Sequence, residues 1–283
     1  MGTLYVVATP IGNLSDVTDR ARAVLGAVQT VVAEDTRRTR KLLAALGVST
    51  RLVSLHAHSG ARKLDRVAAL LEKGDVAYVT DAGTPGVSDP GAALVSAARR
   101  SGHTVSPVPG PSALAAALSV CGIEAAGAVL LGFLPPRPAR RRSLLERAAA
   151  LGLPVVVFAP PSEVGRVITD CAQVMGPETG VVVCRELTKL HEEVVESTLA
   201  RAPELSAVEK ARGEYVLVIS PAARESKAPS DEEVTEAVRR LRQSGLTLRD
   251  AAARAAAELG VSRNRAYRAG VGHSEPGRRP RKT

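Results

Sequence analysis

At 283 residues, 45% apolar and 24% charged, the chain has the length and balance of a folded protein of two domains, or of one large α/β unit with an appendage. Aromatics at 2% with no Trp argue against a platform for stacking single-stranded bases, whereas a net charge of +9 favours a polyanionic partner. Three scattered cysteines in apolar segments give no disulfide or zinc spacing, and the lack of a leader-like start or an apolar run of roughly 18 residues points to a cytoplasmic protein without a membrane span.

Strands and helices alternate from the first residues. Residues 4–8 read as a buried strand, 16–25 as a helix, 28–33 as a strand and 39–46 as a helix. A helix over 62–73, a strand over 76–80, a helix over 91–100, a strand over 104–107 and a helix over 112–121 follow. A strand at 129–133 runs into Pro135, Pro136 and Pro138, which can continue neither strand nor helix and so divide two α/β halves. Beyond them come a helix at 140–150, a strand at 154–158, a helix at 163–174 and strands at 180–184 and 215–219. Such alternation builds parallel or mixed sheets under helices, and the unbroken apolarity of the strands implies that both sheet faces are covered.

A second break at 221–229 leads into a purely helical pattern. Ser230 with Glu233 reads as a capping box, Thr247 with Asp250 opens a second helix that ends at Gly260, and Ser262 caps a third ending near Tyr267. Three short helices joined by tight turns suggest a helix-turn-helix-like unit. The expected domains are therefore 1–116, 117–222 and 229–283. The last carries twelve Lys and Arg against seven Asp and Glu, five of the nine net positive charges. Arg263, Arg265 and Arg268 fall on its third helix, with Arg278, Arg279, Arg281 and Lys282 behind them, which suits a nucleic-acid contact.

Four strand-to-loop junctions could carry chemistry. Thr9-Pro10-Ile11-Gly12-Asn13-Leu14 lacks both nucleotide-binding glycine fingerprints and makes a rigid turn at the carboxyl end of a strand, where α/β sheets place ligands. Asp81-Ala82-Gly83-Thr84-Pro85-Gly86-Val87-Ser88-Asp89-Pro90 packs two glycines and two prolines into ten residues, a tight ligand-holding backbone whose Ser88 or Asp89 could equally cap the next helix. Pro107-Val108-Pro109-Gly110-Pro111 delivers Ser112 and Ala113 to a helix N-terminus, both small enough for a flat ring to lie against the backbone. Arg185-Glu186-Leu187-Thr188-Lys189 and Arg212-Gly213-Glu214 gather charge beside strands of the second half.

Together with Ala33-Glu34-Asp35-Thr36-Arg37, Leu55-His56-Ala57-His58 and Gly132-Phe133-Leu134-Pro135, these loops resemble the tetrapyrrole methylase superfamily, in its branch that 2′-O-methylates a cytidine of small-subunit (16S) ribosomal RNA. The match covers essentially the whole chain, and the combination is specific where each motif alone is not. The resemblance implies two α/β domains with S-adenosylmethionine in the cleft between them, a small C-terminal helical domain, and a homodimer. The cofactor pocket it implies is lined by Pro10, Asp81, Ala82, Gly83, Thr84, Pro85, Val87, Ser88, Ser112 and Ala113, with Phe158, Arg185 and Gly213 from the second half. The implied partner is small-subunit ribosomal RNA or the assembled small subunit. A tetrapyrrole or other small anionic acceptor is the alternative, and a non-catalytic RNA-binding relative is a third reading. One segment departs from the pattern. After Val155-Val156-Val157-Phe158 the family continues with Tyr-Glu and a Ser/Ala-Pro-His-Arg stretch, whereas this chain has Ala159-Pro160-Pro161-Ser162-Glu163-Val164. Gly86 also stands where the family tends to carry an aliphatic residue.

Transfer of a sulfonium methyl to a ribose hydroxyl releases a neutral thioether, so the protein must supply alignment and help in removing a proton. Candidate proton acceptors are Glu34, Asp35, Glu186, His56 and His58. A carboxylate of the 34–35 pair is favoured, with Arg37 and Lys189 holding a phosphate, and helix capping is the alternative for 34–37. No set of metal ligands is expected. Arg137, Arg140, Arg141 and Arg142 are expected to track the RNA backbone.

Overall fold

Among the described residues, short runs of Val, Leu, Ile and Ala form ten strands, and in a computed structural model these assemble into two five-stranded sheets. The structure describes residues 2–56, 61–86, 89, 91–209, 211–221 and 229–271. Met1–Ala222 form one compact unit and Ala223–Thr283 a second.

The first sheet contains β1 (Thr3–Val7), β2 (Thr30–Ala33), β3 (Arg51–Ser54), β4 (Val76–Val79) and β5 (Thr104–Val108), all parallel in the order β3-β2-β4-β1-β5. The helices between them are α1 (Asp19–Ala27), α2 (Thr36–Ala45), α3 (Ala61–Ala68, continued by a 3-10 turn at Ala69–Glu72) and α4 (Gly91–Arg100). Successive strand residues point to opposite faces. Val31, Ala33, Ala77 and Val79 accordingly meet Leu25 of α1 and Leu43 of α2, while Val32, Val76 and Tyr78 meet Val67 of α3 and Leu94 of α4. Both faces are covered, as continuous apolarity requires.

The chain crosses over through α5 (Ala113–Val120). The second sheet comprises β6 (Val129–Phe133), β7 (Val155–Ala159), β8 (Gly180–Arg185), β9 (Glu193–Thr198) and β10 (Tyr215–Ile219), in the order β6-β7-β10-β8-β9. Only β6 and β7 are parallel. α6 (Pro138–Ala149) and α7 (Val164–Met175) cover one face through Leu145, Val167, Ile168 and Cys171, with the one-turn α8 (Ser206–Glu209) beside them. The other face takes Ala117 and Cys121 from the α5 region and Ile11 from the loop after β1. The expected boundary at 116/117 lies within α5, whose buried Ala117 packs on the second sheet. All three cysteines are buried and unpaired. Burial raises the Cys171 thiol to about 12 and the Cys184 thiol to about 11, so neither is a ready nucleophile.

Two strands escaped the sequence reading, β3 and β9. Both are edge strands with exposed charged positions, which hide the apolar signal. The atypical 159–164 segment ends β7 with buried Ala159 and turns through a 3-10 step at Pro161–Glu163 into α7. Arg141, expected on the RNA side, is instead buried in unit 1. Its Nε binds Asp170 Oδ2 at 2.5 Å, and Nη1 donates to the Pro135 and Pro136 carbonyls at 3.1 Å each. It pins the proline turn onto α7 and is unavailable to a phosphate.

In the second unit α9 (Asp231–Gln243), α10 (Leu248–Leu259) and α11 (Arg263–Val271) pack Val234, Val238 and Leu241 against Ala251, Ala252, Ala255 and Ala266. The capping box at Ser230 and Glu233, the Thr247 cap and left-handed Gly260 fix the helix ends. Arg265 is held by Asp231 and the Pro229 carbonyl, which leaves Arg263 and Arg268 as the exposed cations of α11. Arg278, Arg279, Arg281 and Lys282 lie outside the described residues.

Candidate active site

Because the first sheet is parallel, the loops after β1, β2, β4 and β5 all emerge at its carboxyl edge. The Thr9 and Gly83 amides each donate to the other's carbonyl at 3.0 Å, tying the loop after β1 to the loop after β4. Thr84 Oγ1 donates to the Pro111 carbonyl at 2.9 Å, which adds the loop after β5. Gly83 holds φ at +79°, and a Cβ there would stand 3.2 Å from Ile11 Cγ2. Two reasons thus keep a side chain from this position. Asp89 caps α4 by accepting from the Gly91 amide at 2.7 Å, accepts from Gly86 N, and takes the buried Tyr78 hydroxyl at 3.1 Å. The capping alternative for Asp89 is what the chain uses. Val87 and Ser88 lie outside the described residues, as do Ala57 and His58. Ser112 is the N-cap of α5, and Ala113 its first residue.

At the end of β2 two adjacent carboxylates have opposite fates. Asp35 caps α2, accepting from the Arg37 amide at 2.8 Å and from Arg37 Nε and Nη2 at 3.2 and 2.9 Å. The Arg37 guanidinium and then its amide hold the Asp35 carboxyl far below the usual carboxylate range. Asp35 is consequently a poor proton acceptor, and Arg37 turns two of its side-chain donors onto it. The Asp35 amide donates to Asp81 Oδ1 at 3.0 Å, drawing the start of α2 to the loop after β4. Glu34, by contrast, accepts a backbone hydrogen bond from Asp81, and its carboxyl is raised by burial first, then by the Asp81 and Asp89 carboxylates.

From the second sheet comes a compact ionic cluster. Lys189 Nζ lies 2.7 Å from Glu186 Oε1 and 3.0 Å from Glu214 Oε2, and the Glu214 amide donates to Glu186 Oε1 at 2.9 Å. Burial alone would raise the Glu186 carboxyl, but Lys189 and that amide bring it below its ordinary value. Glu186 and Thr188 both adopt positive φ, +51° and +67°, a conformation non-glycine residues take at some cost. Gly213 leaves room for the Glu186 side chain: a Cβ there would lie 2.5 Å from Glu186 Cγ. Gly12 does the same for the other loop, since a Cβ would overlap Lys189 Cγ and reach 3.0 Å from the Leu187 carbonyl. Gly12 thus lets the loops of the two sheets meet, while Gly213 lets two loops of the second sheet close on each other.

Between these loops opens a cavity of about 320 Å³. Of the residues singled out in the sequence, Pro10, Asp81, Ala82 and Lys189 line it. Gly83, Glu34, Asp35, Glu186 and Gly213 stand directly behind its walls through the contacts above, while Thr84 connects to the Ser112 turn. Phe158 and Arg185 are not among the lining residues. Phe158 packs edge-on against Phe133 at 5.7 Å. Arg185 is buried, donating to the Arg212 carbonyl at 2.8 Å and to Glu193 at 3.1 Å. Missed in the sequence were Arg38, Lys41 and Leu42 of α2, which complete the wall opposite Lys189. Helix periodicity carries the signal, for 38, 41 and 42 share one side of α2. A wall of this kind suits a molecule with an adenine, an ammonium and a carboxylate: Ile11, Leu14 and Leu42 are apolar, Asp81 is an anion, and Arg38 and Lys41 are cations.

The family model for tetrapyrrole (corrin/porphyrin) methylases matches residues 3–203. Proteins named ribosomal RNA small subunit methyltransferase I are similar over most of the chain. The one from Xylella fastidiosa (strain Temecula1) is 43% identical over 80% of this chain and 84% of its own. Those from Neisseria meningitidis serogroup B and Escherichia coli O157:H7 are each 39% identical over 94% of this chain and over 92% and 94% of their own. The chain belongs to the tetrapyrrole methylase family, in its ribosomal RNA small-subunit methyltransferase I branch. Solved structures agree on the fold. A cobalt precorrin-4 methyltransferase of cobalamin biosynthesis superposes with a TM-score of 0.61 at 17% identity, covering 78% of this chain and 95% of its own. A uroporphyrin-III-C-methyltransferase from Thermus thermophilus gives 0.56 at 22%, covering 78% and 96%. The chain is thus a methyltransferase with S-adenosylmethionine as methyl donor, on the fold that the resemblance implied.

Proposed function

We propose that this methyltransferase modifies the 2′-hydroxyl of a cytidine in small-subunit ribosomal RNA. The observation that carries the acceptor is coverage. The two tetrapyrrole-methyltransferase structures leave about a fifth of this chain unmatched. The ribosomal RNA relatives from Neisseria meningitidis and Escherichia coli align over 94%, more than residues 1–222 can supply, so their similarity extends into the basic helical unit.

S-adenosylmethionine supplies a sulfonium-bound methyl whose leaving group is a neutral thioether. The chain's own residues have two tasks. Asp81 and the Ala82-Gly83 backbone would hold the cofactor's polar groups, and Ile11, Leu14 and Leu42 would take its flat ring. Glu34, next to Asp81 of the lining and raised in pKa by burial, would accept the proton of the ribose hydroxyl. Glu186 keeps Lys189 in place and is the weaker base, because Lys189 and the Glu214 amide already occupy its Oε1 and lower its proton affinity. The same reading includes a cytoplasmic homodimer. Among the described residues no helix is long and apolar enough to cross a membrane.

Purified protein incubated with labelled cofactor and small ribosomal subunits should transfer label to the RNA, with a 2′-O-methyl mark lost in a deletion strain. Label passing only to precorrin-type acceptors would refute the assignment.

A further inference from the structure

We propose that the outer face of α2 grips the phosphate backbone of the acceptor RNA, a proposal that rests on ribosomal RNA being the acceptor. Between Thr36 and Ala45 the helix carries Arg37, Arg38, Arg40 and Lys41 and no carboxylate. At about 100° per residue these four fall within an arc of roughly 160°. They lie opposite Thr39, Leu43 and Leu46, which seat the helix on the first sheet, with Leu42 at the border of the two faces. All four are exposed.

Cations spaced by three and four residues repel one another along a helix, so the arrangement does nothing for α2 itself. Some cations of the fold are neutralised by facing acids: Arg141 by Asp170, Lys189 by Glu186 and Glu214, Arg265 by Asp231. On α2, Arg37 turns back onto Asp35 and Arg38 lies 3.4 Å from Asp81. Arg40 and Lys41 have no carboxylate partner among the described residues.

Location decides what the charge is for. Arg38 and Lys41 line the cavity, and Arg40 continues the row outward from its rim. A nucleic-acid strand laid along α2 would set its phosphates against these cations while one ribose faces the cavity mouth. The other exposed residues of the helix are Ala44 and Ala45, so this face has no large apolar side chain to insert into a lipid surface. Phosphate contacts of this type fix register and orientation without reading bases.

The test is binding of the full-length protein to purified small ribosomal subunits, measured by filter retention over a range of salt concentrations, for wild type and R40Q/K41Q. Losing two phosphate contacts should flatten the slope of log affinity against log salt by roughly 1.4–1.8, with an affinity loss of about tenfold at low salt. R40Q alone, away from the cavity lining, should bind S-adenosylmethionine as wild type does in calorimetry, which shows that the site is intact. Subunit binding by R40Q/K41Q with the wild-type slope and affinity would overturn the surface while leaving the acceptor assignment standing. Wild-type protein that fails to bind subunits at all would overturn both.

Discussion

Glu34 and Asp35 are neighbours in sequence, and their roles separate in a pH profile. A general base must be ionised to work. The Glu34 carboxyl is raised above its ordinary 4.5 by burial and by Asp81 and Asp89, so kcat/KM should fall tenfold per pH unit once the pH drops below that raised value. Were Asp35 the base, its depressed pKa would keep the rate flat well below pH 4. Replacing the base should cost about 10²- to 10⁴-fold in rate, so E34Q should lose that much and lose the acid limb with it. D35N retains a residue that caps helices about as well as Asp and should stay within a few-fold of wild type. Stability gives an independent sign. A carboxyl whose folded pKa lies above its unfolded one contributes stability that is present below the unfolded pKa and lost as pH rises through the folded one. At neutral pH the ionised Glu34 is therefore a liability, and E34Q should melt no lower than wild type. Initial rates of labelled methyl transfer to small subunits from pH 4.5 to 8, alongside thermal melts, make the comparison. An E34Q enzyme within threefold of wild type, or one keeping the acid limb, refutes Glu34 as the base.

Three further outcomes follow from the packing. G12A drives a methyl into Lys189 Cγ and against the Leu187 carbonyl, and should weaken cofactor binding by about tenfold in calorimetry, equivalent to ~1.4 kcal/mol. R141A strips Asp170 and the Pro135 and Pro136 carbonyls of their donor; removing one member of a buried pair costs about 3 kcal/mol, a fall in Tm of roughly 6–12 °C for a unit of this size, while R140Q leaves Tm unchanged. D89A removes the α4 cap and orphans the Tyr78 hydroxyl, about 2–4 kcal/mol together, and a cycle with Y78F should recover part of it in denaturant melts.

Much of this was legible in the sequence, for reasons particular to each segment. The expected strands at 129–133 and 215–219 and the helix at 91–100 match the observed elements end to end, because central β10 is apolar throughout, edge strand β6 carries no charged residue, and Asp89 and Gly102 punctuate α4 on either side. β3 and β9 were not legible, since an edge strand keeps half its pairing and dilutes its pattern with Arg51, Glu193 and Glu196. The tight turns after β1 and β4 were recognisable because glycine and proline announce backbone geometry locally. What no local pattern announces is where a charge ends. Residues 37–41 and 137–142 are both short runs with four basic residues; from the sequence, Arg37 alone of the first is expected to hold a phosphate and the second to track the RNA backbone. Asp170, 29 residues beyond Arg141, takes the centre of that second run into the protein. On α2 no described carboxylate reaches Arg40 or Lys41, because Thr39 and Leu43 hold the buried stripe and turn both outward beside the cavity. The difference between a structural cation and a binding one is set by the partner on the facing element, and that is a property of topology. It follows that swapping the partner should swap the role: an acid placed at Ala44, one turn from Arg40 and on the same arc, should quench α2 as an RNA contact as effectively as removing Arg40. If A44E binds small subunits with wild-type salt dependence, free charge on this face is not what the RNA reads.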